Sequence, residues 1–226
     1  MAATLVQSAS NSSNGAATLA VASGQGWGTP VAGNLLVITG NGDTTLTGPA
    51  GFTAGPSVVD GNGAYLWWKV SAGTETTVTM TPGSSTAPIT ITAMEYSGVS
   101  GTPTDVQSTS TASGVQAAVT TSVSVTGTGT SGDLFVAAAC LHAYATKPAT
   151  PAWTNSFVNR VTTAGTTSGG TDVITFVGDF QNAAAAAAST VCSWTNNAPD
   201  RQELLIAFKL AAGGAASIPA LVMARP

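Results

Sequence analysis

Charged side chains are scarce in this sequence, and their scarcity excludes several classes of protein. Asp, Glu, Lys and Arg make up 7% of the residues, against roughly 25% in an ordinary soluble domain. A disordered chain has few apolar residues, whereas 43% of this sequence is hydrophobic, so a packed core is expected. The six Lys and Arg residues are scattered and the net charge is −4, which argues against nucleic acid as a partner.

Long hydrophobic runs and secretion signals are also missing. The longest apolar run, around 134–141, falls well short of the ~20 residues that span a bilayer, so no membrane partner is expected. Residues Met1–Gln7 have neither a basic start nor an apolar core, so they do not indicate a signal peptide. We therefore expect the protein to be made in a cytoplasm and to leave it, if at all, inside an assembly or by cell lysis.

Cysteine and histidine are nearly absent, which limits the chemistry available. Cys140 and Cys192 are too few for a disulfide framework or a zinc site made of cysteines alone. Their strand-like surroundings favour buried free thiols, with one disulfide between neighbouring strands as the alternative. His142 is the single histidine, and neither a Gly-x-Ser-x-Gly motif nor a carboxylate partner is evident near it. We predict that it is structural.

The acidic residues supply few candidates for a site. Most of the ten lie in turns, where solvated Asp is common, but Glu95 stands inside an apolar strand beside Tyr96. A buried carboxylate of this kind is either functional or hydrogen-bonded within the fold, and we favour the second. Asp43, Asp60 and Asn62 lie in Gly-rich loops without calcium-loop spacing, which favours turn chemistry. We predict no catalytic residue, metal or cofactor; a hydrolase would need paired carboxylates across one cleft.

The sequence does contain one unit that is used twice. Six segments recur in the same order: Val6–Ser10 as Val106–Ser110, Gly33–Val37 as Gly132–Val136, Pro49–Phe52 as Pro151–Trp153, Tyr65–Val70 as Val173–Val177, Thr76–Met80 as Ser189–Ser193, and Ile89–Tyr96 as Leu204–Lys209. Internal repeats of this kind point to one structural unit built twice. We therefore predict repeat one at 4–101 and repeat two at 104–210.

Each repeat has the pattern of six or seven short strands separated by turn residues, which predicts an all-β sandwich. Thr76–Met80 alternates small polar and apolar residues, as a strand with one buried face does. Leu35–Ile38 and Leu204–Phe208 are continuously apolar, as central strands buried on both sides are. Ala183–Ala188 is interpreted as a loop insertion.

The two repeats follow each other without a linker. Only Ser97–Thr104 lies between them, with Gly98, Gly101 and Pro103 as a predicted turn. This favours one jelly-roll-like sandwich over residues 1–210, with two tandem immunoglobulin-sized sandwiches as the alternative.

The C-terminal segment has a different composition from the repeats. Residues 211–217 are Ala, Gly and Ser, which is typical of a flexible linker, and residues 218–226 are apolar and bounded by proline. An apolar segment on a flexible linker is costly to leave in water. We predict an extended tail that docks on another protein chain through Ile218, Leu221, Val222 and Met223.

Aromatic residues offer a second set of partner-binding candidates. Tyr65 and Trp67 point to one face of their strand, and Leu66 and Trp68 point to the other. One pair packs in the core, while the other lies under a second layer or forms an exposed patch for a protein or a sugar ring. Trp27, between two glycines, is a further loop candidate. Trp67 and Trp27 therefore join the tail residues as candidate contacts.

The order of these motifs resembles that of a known kind of protein. The order runs Gly-Asp/Asn-Leu-x-Val, Pro-Ala-Gly-aromatic, Trp68–Val70, Thr-Val-Thr and Glu95–Val99. Over residues 4–210 it resembles duplicated Ala/Thr/Gly-rich β-sandwich proteins of bacteriophage virions and bacterial surfaces. The resemblance implies a non-enzymatic virion protein, a capsid decoration or minor tail protein, whose partners are major capsid or tail subunits or further copies. A carbohydrate-binding module or adhesin, with a host glycan as its partner, is the alternative.

Overall fold

The chain folds into antiparallel β-sheets. The computed structural model describes residues 2–60, 62–116, 121–124, 133–142, 151–165, 173–181, 189–193 and 198–211. The first eight strands are β1 Thr4–Ser13, β2 Leu19–Val21, β3 Leu35–Gly42, β4 Leu46–Thr47, β5 Thr53–Asp60, β6 Asn62–Val70, β7 Val78–Pro82 and β8 Ile89–Ser97. The next eight are β9 Val99–Gln116, β10 Thr121–Ser124, β11 Leu134–His142, β12 Ala152–Trp153, β13 Val158–Gly165, β14 Val173–Gln181, β15 Ser189–Ser193 and β16 Ala198–Leu210. Within these ranges there is no α-helix, and the expected all-β class is confirmed.

The strand order is the same in the two halves of the chain. In the first half, a five-stranded sheet has the order β1-β8-β3-β6-β5 and a three-stranded sheet the order β2-β7-β4. The second half has β9-β16-β11-β14-β13 and β10-β15-β12. In the part of the chain that the structure describes, each half thus has eight strands rather than six or seven, because the short strands beside the loops pair as well. The first strand pairs with the eighth, the second with the seventh and the third with the sixth.

The four sheets stack as four layers. The two five-stranded sheets pack face to face, with β1 against β13, β3 against β11 and β5 against β9. Their shared core includes residues of both halves, such as Val37, Leu66, Val136 and Ile206. The outer faces of these sheets are covered by the three-stranded sheets. Each half is therefore a sandwich, and the two sandwiches share a central core.

This layering explains the hydrophobic patterns. Every residue of β3 and of β11 is buried, because both strands lie in the two inner sheets and contact a layer on each side. The outer strand β7 alternates instead: Val78 and Met80 are buried, whereas Thr79 and Thr81 are exposed. Continuous and alternating patterns thus distinguish inner from outer strands, as predicted.

The predicted turn between the repeats is shorter in the structure. Strand β8 ends at Ser97 and β9 begins at Val99, so Gly101 and Pro103 lie within β9. Gly98 bends the chain between the two strands with φ +78°, and a Cβ there would lie 2.3 Å from the Ala2 carbonyl oxygen. One left-handed glycine therefore replaces the predicted eight-residue turn. The predicted loop insertion Ala183–Ala188 lies outside the described residues.

Candidate functional site

The junction between the two inner sheets buries a carboxylate. The Tyr96 hydroxyl donates to Oδ2 of Asp179 at 2.9 Å, and Arg160 Nε donates to its Oδ1 at 2.8 Å. Tyr96 is 1% exposed and Asp179 is 4% exposed. Burial, and then the charge of Asp179, raise the pKa of Tyr96 well above its ordinary value of 10.0. The carboxylate is thus held by one group from each half of the chain.

The matching position in the second half makes an aromatic contact instead. Tyr96 pairs with Leu35 on β3 as Phe208 pairs with Leu134 on β11. The rings of Phe208 and Trp68 pack in a T-shaped arrangement with centroids 6.2 Å apart. One of the two matched contacts across the junction is therefore polar and the other is aromatic.

Further polar groups join the halves inside the core. Asn41 Nδ2 donates to the Ile174 carbonyl oxygen at 2.9 Å. Two threonine pairs link their hydroxyls across the sheets, Thr90 with Thr175 at 2.7 Å and Thr92 with Thr163 at 3.0 Å. Buried polar groups of this kind need partners in defined positions, so they fix how one sheet sits on the other.

His142 does have a carboxylate partner, contrary to the impression given by the sequence. Its Nδ1 lies 3.0 Å from Asp43 Oδ1, 99 positions away along the chain. The sequence conceals this pair because β3 and β11 end side by side only when the two inner sheets stack. The imidazole is fully buried, and its Nε2 has no hydrogen-bond partner among the described residues. Because Nε2 is buried and a substrate would have to reach it, the His142–Asp43 pair is arranged as a contact between the two halves.

Glu95 is hydrogen-bonded within the fold, as favoured above. Its carboxylate accepts from Gln7 Nε2 at 2.6 Å, from Asn34 Nδ2 at 2.6 Å and from the Val31 N–H at 2.8 Å. Three donors satisfy a carboxylate that is 1% exposed. Glu95 therefore fastens the loop before β3 to strands β1 and β8.

The structure buries both tryptophans that were candidate partner contacts, so a second layer rather than an exposed patch covers them. Trp67 is 6% exposed and stacks parallel to Tyr65, with ring centroids 5.3 Å apart, beneath the outer sheet of the first half. Trp27 is 1% exposed, and its Nε1 donates to the Glu75 carbonyl oxygen at 2.8 Å. Both indoles lie in the core because the three-stranded sheet supplies the second layer. Ile218, Leu221, Val222 and Met223 lie outside the described residues.

Both thiols are buried and free. Cys140 faces the core between the halves, and Cys192 faces the core beneath the outer sheet of the second half. Burial raises the pKa of Cys140 to about 12 and raises that of Cys192 further. Because the two side chains lie in different cores, they do not form the alternative disulfide. Among the described residues, no three His, Cys, Asp or Glu side chains are grouped to hold a metal ion.

A groove that sequence reasoning missed opens on the outer sheet of the first half. Its volume is about 430 Å³, and its lining includes Pro49, Ala50 and Phe52 on one wall and Thr77 and Thr79 on the other. The only sequence signal is the recurring Pro-Ala-Gly-Phe motif at 49–52, which does not by itself indicate a groove. Sequence alone does not reveal that this turn stands apart from β7 and leaves a groove between them.

A neutralised ion pair lies at one end of the groove. Lys69 Nζ is 2.7 Å from Glu75 Oε1 and lies 5.7 Å from the centre of the Phe52 ring. Burial acts to raise the pKa of Glu75, but hydrogen bonds from Lys69, Ala72, Ser71 and Thr74 outweigh it and lower the pKa to about 2. This carboxylate therefore stays ionised and paired near neutral pH.

The described residues contain no helix with both the length and the apolar character needed to cross a membrane. No protein-family model, curated protein or solved structure matches this chain.

Proposed function

We propose that the chain is a non-enzymatic structural component of a bacteriophage virion, a capsid decoration or minor tail protein that binds neighbouring subunits. The supporting observation is that the side chains best suited to catalysis are bonded to other parts of the fold. Asp179, His142 and Glu95 are all buried and bonded within the fold. They join strands, loops and halves rather than converging on a cleft, which suits a rigid building block.

We also infer that the two halves are copies of one jelly-roll-type unit. In each half the first strand pairs with the eighth, the second with the seventh and the third with the sixth, which is the nested pairing of a jelly roll. The fifth strand pairs with the sixth and so belongs to the five-stranded sheet. Edge strands β5 and β13 carry register shifts at corresponding places, between Ala54 and Ser57 and between Asn159 and Val161. Bulges are specific features of a fold, so their shared position supports a common origin.

The tail is the proposed means of binding neighbours. Each edge strand of the two five-stranded sheets has an irregular register, and β5 also contains Pro56. Bulges and prolines at edges oppose strand-to-strand association. Leu, Ile, Val and Met side chains are each worth roughly 1.5–3 kcal/mol when buried, so Ile218 and residues 221–223 could supply several kcal/mol, less the ordering cost.

Deleting residues 213–226 tests the proposal. The shortened protein should keep its melting temperature, because the deletion starts beyond Ala211, whose N–H bonds the Gly98 carbonyl oxygen. It should lose incorporation into phage particles. Replacing only Leu221, Val222 and Met223 by serine is a narrower variant, and it should lose incorporation in the same way. Unchanged incorporation would contradict the proposed function.

A carbohydrate-binding module or adhesin is the second candidate, and the groove favours it. Phe52 and the exposed hydroxyls of Thr77, Thr79 and Thr81 offer an apolar surface beside polar groups. Sugar-binding sites combine these features. Glycan-array binding that is lost in Phe52→Ala, and kept when residues 213–226 are deleted, would favour this candidate over a docking tail.

A further inference from the structure

The groove exists because β4 leaves β7 early. Thr47 of β4 pairs with Thr81 of β7, and the Gly83 N–H donates to the Thr45 carbonyl oxygen at 2.8 Å. Thr81 and Gly83 therefore direct their backbone groups toward β4. Backbone groups of a strand alternate between its two sides, so the N–H and C=O of Thr79 are directed to the same side. Strand β4 ends at Thr47, before it reaches Thr79. The backbone of Thr79 therefore faces the groove rather than a neighbouring strand.

The lining of the groove suits an extended, uncharged and apolar segment. One wall is the Pro49–Phe52 turn, and the other is the edge of β7. The single charged lining residue is Glu75, which Lys69 neutralises. A strand edge beside apolar side chains is the geometry of β-augmentation, in which backbone hydrogen bonds give affinity and pockets give specificity.

We propose that this groove accepts the C-terminal segment 218–226 of a neighbouring copy as an added strand of the outer sheet. The proposal rests on the proposed role of the tail. Residues 218–224 carry no charge, which matches the uncharged groove, and the one charged residue of the segment is Arg225 near its end. Ile218 and Val222 suit an extended conformation, and Pro219 and Pro226 are compatible with an edge position.

The length of the linker favours a neighbour over the same chain. Ala211 follows β16 in the inner sheet of the second half, whereas β7 lies in the outer sheet of the first half. Two steps of sheet packing, at ~10 Å each, separate these layers, and the chain must pass around them. Seven Ala, Gly and Ser residues span about 15 Å on average and at most ~24 Å. Reaching its own groove would need an almost fully stretched linker.

Engineered disulfides in the full chain test the contact. We combine Thr77→Cys with a cysteine at position 221, 222 or 223, and oxidise mildly at several protein concentrations. The native thiols are buried and stay out of the reaction. At least one pair should give disulfide-linked dimers at least tenfold faster than the same tail cysteine with Val158→Cys, a 49% exposed site on the second half. Equal rates, or a disulfide formed within one chain, would overturn the proposal.

A backbone variant sharpens the test. In the cross-linking background, Thr79→Pro removes the N–H that faces the groove, whereas Thr79→Ala keeps it. The proline variant should fall to the control rate and the alanine variant should not; equal cross-linking by both would contradict strand addition. Ala50→Trp, at an exposed turn position, blocks the groove without touching β7 and should also abolish dimers. If tail deletion abolishes incorporation but no groove cross-link forms, the tail role stands and the groove assignment fails.

Discussion

Tyr96→Phe should destabilise the protein measurably, since it removes one hydroxyl from the junction of the halves. That hydroxyl donates to the buried Asp179 carboxylate at 2.9 Å. A hydrogen bond to a charged group contributes roughly 1.5–3 kcal/mol, so the free energy of unfolding should fall by about 2 kcal/mol. For a chain of this size each kcal/mol shifts the melting temperature by ~2–4 °C, which predicts a decrease of ~4–8 °C.

The measurement is paired thermal and urea unfolding of the wild type and Tyr96→Phe at neutral pH. Tyr65→Phe is the matched control, because Tyr65 is partly exposed and loses the same atom. Its unfolding free energy should change by less than ~0.5 kcal/mol, as is usual away from buried networks. If Tyr96→Phe is as mild as this control, the hydroxyl does not hold the junction together and the reasoning is refuted.

The pH dependence supplies a second, independent reading of the same contact. The pKa of Tyr96 is raised in the folded state, so its contribution is complete below pH 10, the ordinary value, and is lost as pH rises above it. As the pH rises, Tyr96 ionises in the unfolded chain before it ionises in the folded protein, which stabilises the unfolded state relative to the folded state. The stability of the wild type should therefore fall more steeply above pH 10 than that of Tyr96→Phe. Parallel curves would contradict the raised pKa.

Three further outcomes follow from the structure. Gly48→Ala should lower the free energy of unfolding by roughly 1–3 kcal/mol, because its Cβ would lie 2.2 Å from Trp67 Nε1. Gly24→Ala is the control, since a Cβ there has nothing within 4 Å, and chemical denaturation should show little change for it. Because Cys140 and Cys192 are both buried, thiol reagents should label native protein only as fast as it unfolds, and rapid native labelling would contradict this. Because burial raises the pKa of Cys140 from 9.0 to about 12, its contribution to stability should decline above pH 9. Because the pKa of Glu75 is lowered from 4.5 to about 2, the stability difference between wild type and Glu75→Gln should be present above pH 4.5 and vanish as pH falls to about 2 in acid unfolding curves.

Local pattern alone determined the class of the fold and the burial pattern of particular strands. Alternation in Thr76–Met80 and continuous apolarity in Leu35–Ile38 reflect whether one or both faces of a strand are buried, and both predictions agree with the structure. Period-two burial is a property of a few consecutive residues, so a sequence can display it. The structure also exposes slips in the predicted matches. Tyr65 corresponds to Phe176 rather than to Val173, because Tyr65 pairs with Gly40 on β3 as Phe176 pairs with Ala139 on β11. Aligning Thr79 with Cys192 sets an exposed residue against a buried one. A shift of one residue reverses the face.

Contacts between distant strands were beyond the reach of the sequence. Tyr96 and Asp179 are 83 positions apart, and His142 and Asp43 are 99 apart, so no local pattern announces that they meet. Trp67 fits a core or an exposed patch equally well until a second layer covers it. The groove likewise depends on where β4 diverges from β7. Side-chain pattern gives the face that a residue occupies, but only the stacking of the sheets decides what that face contacts, because packing joins residues that no local interaction links.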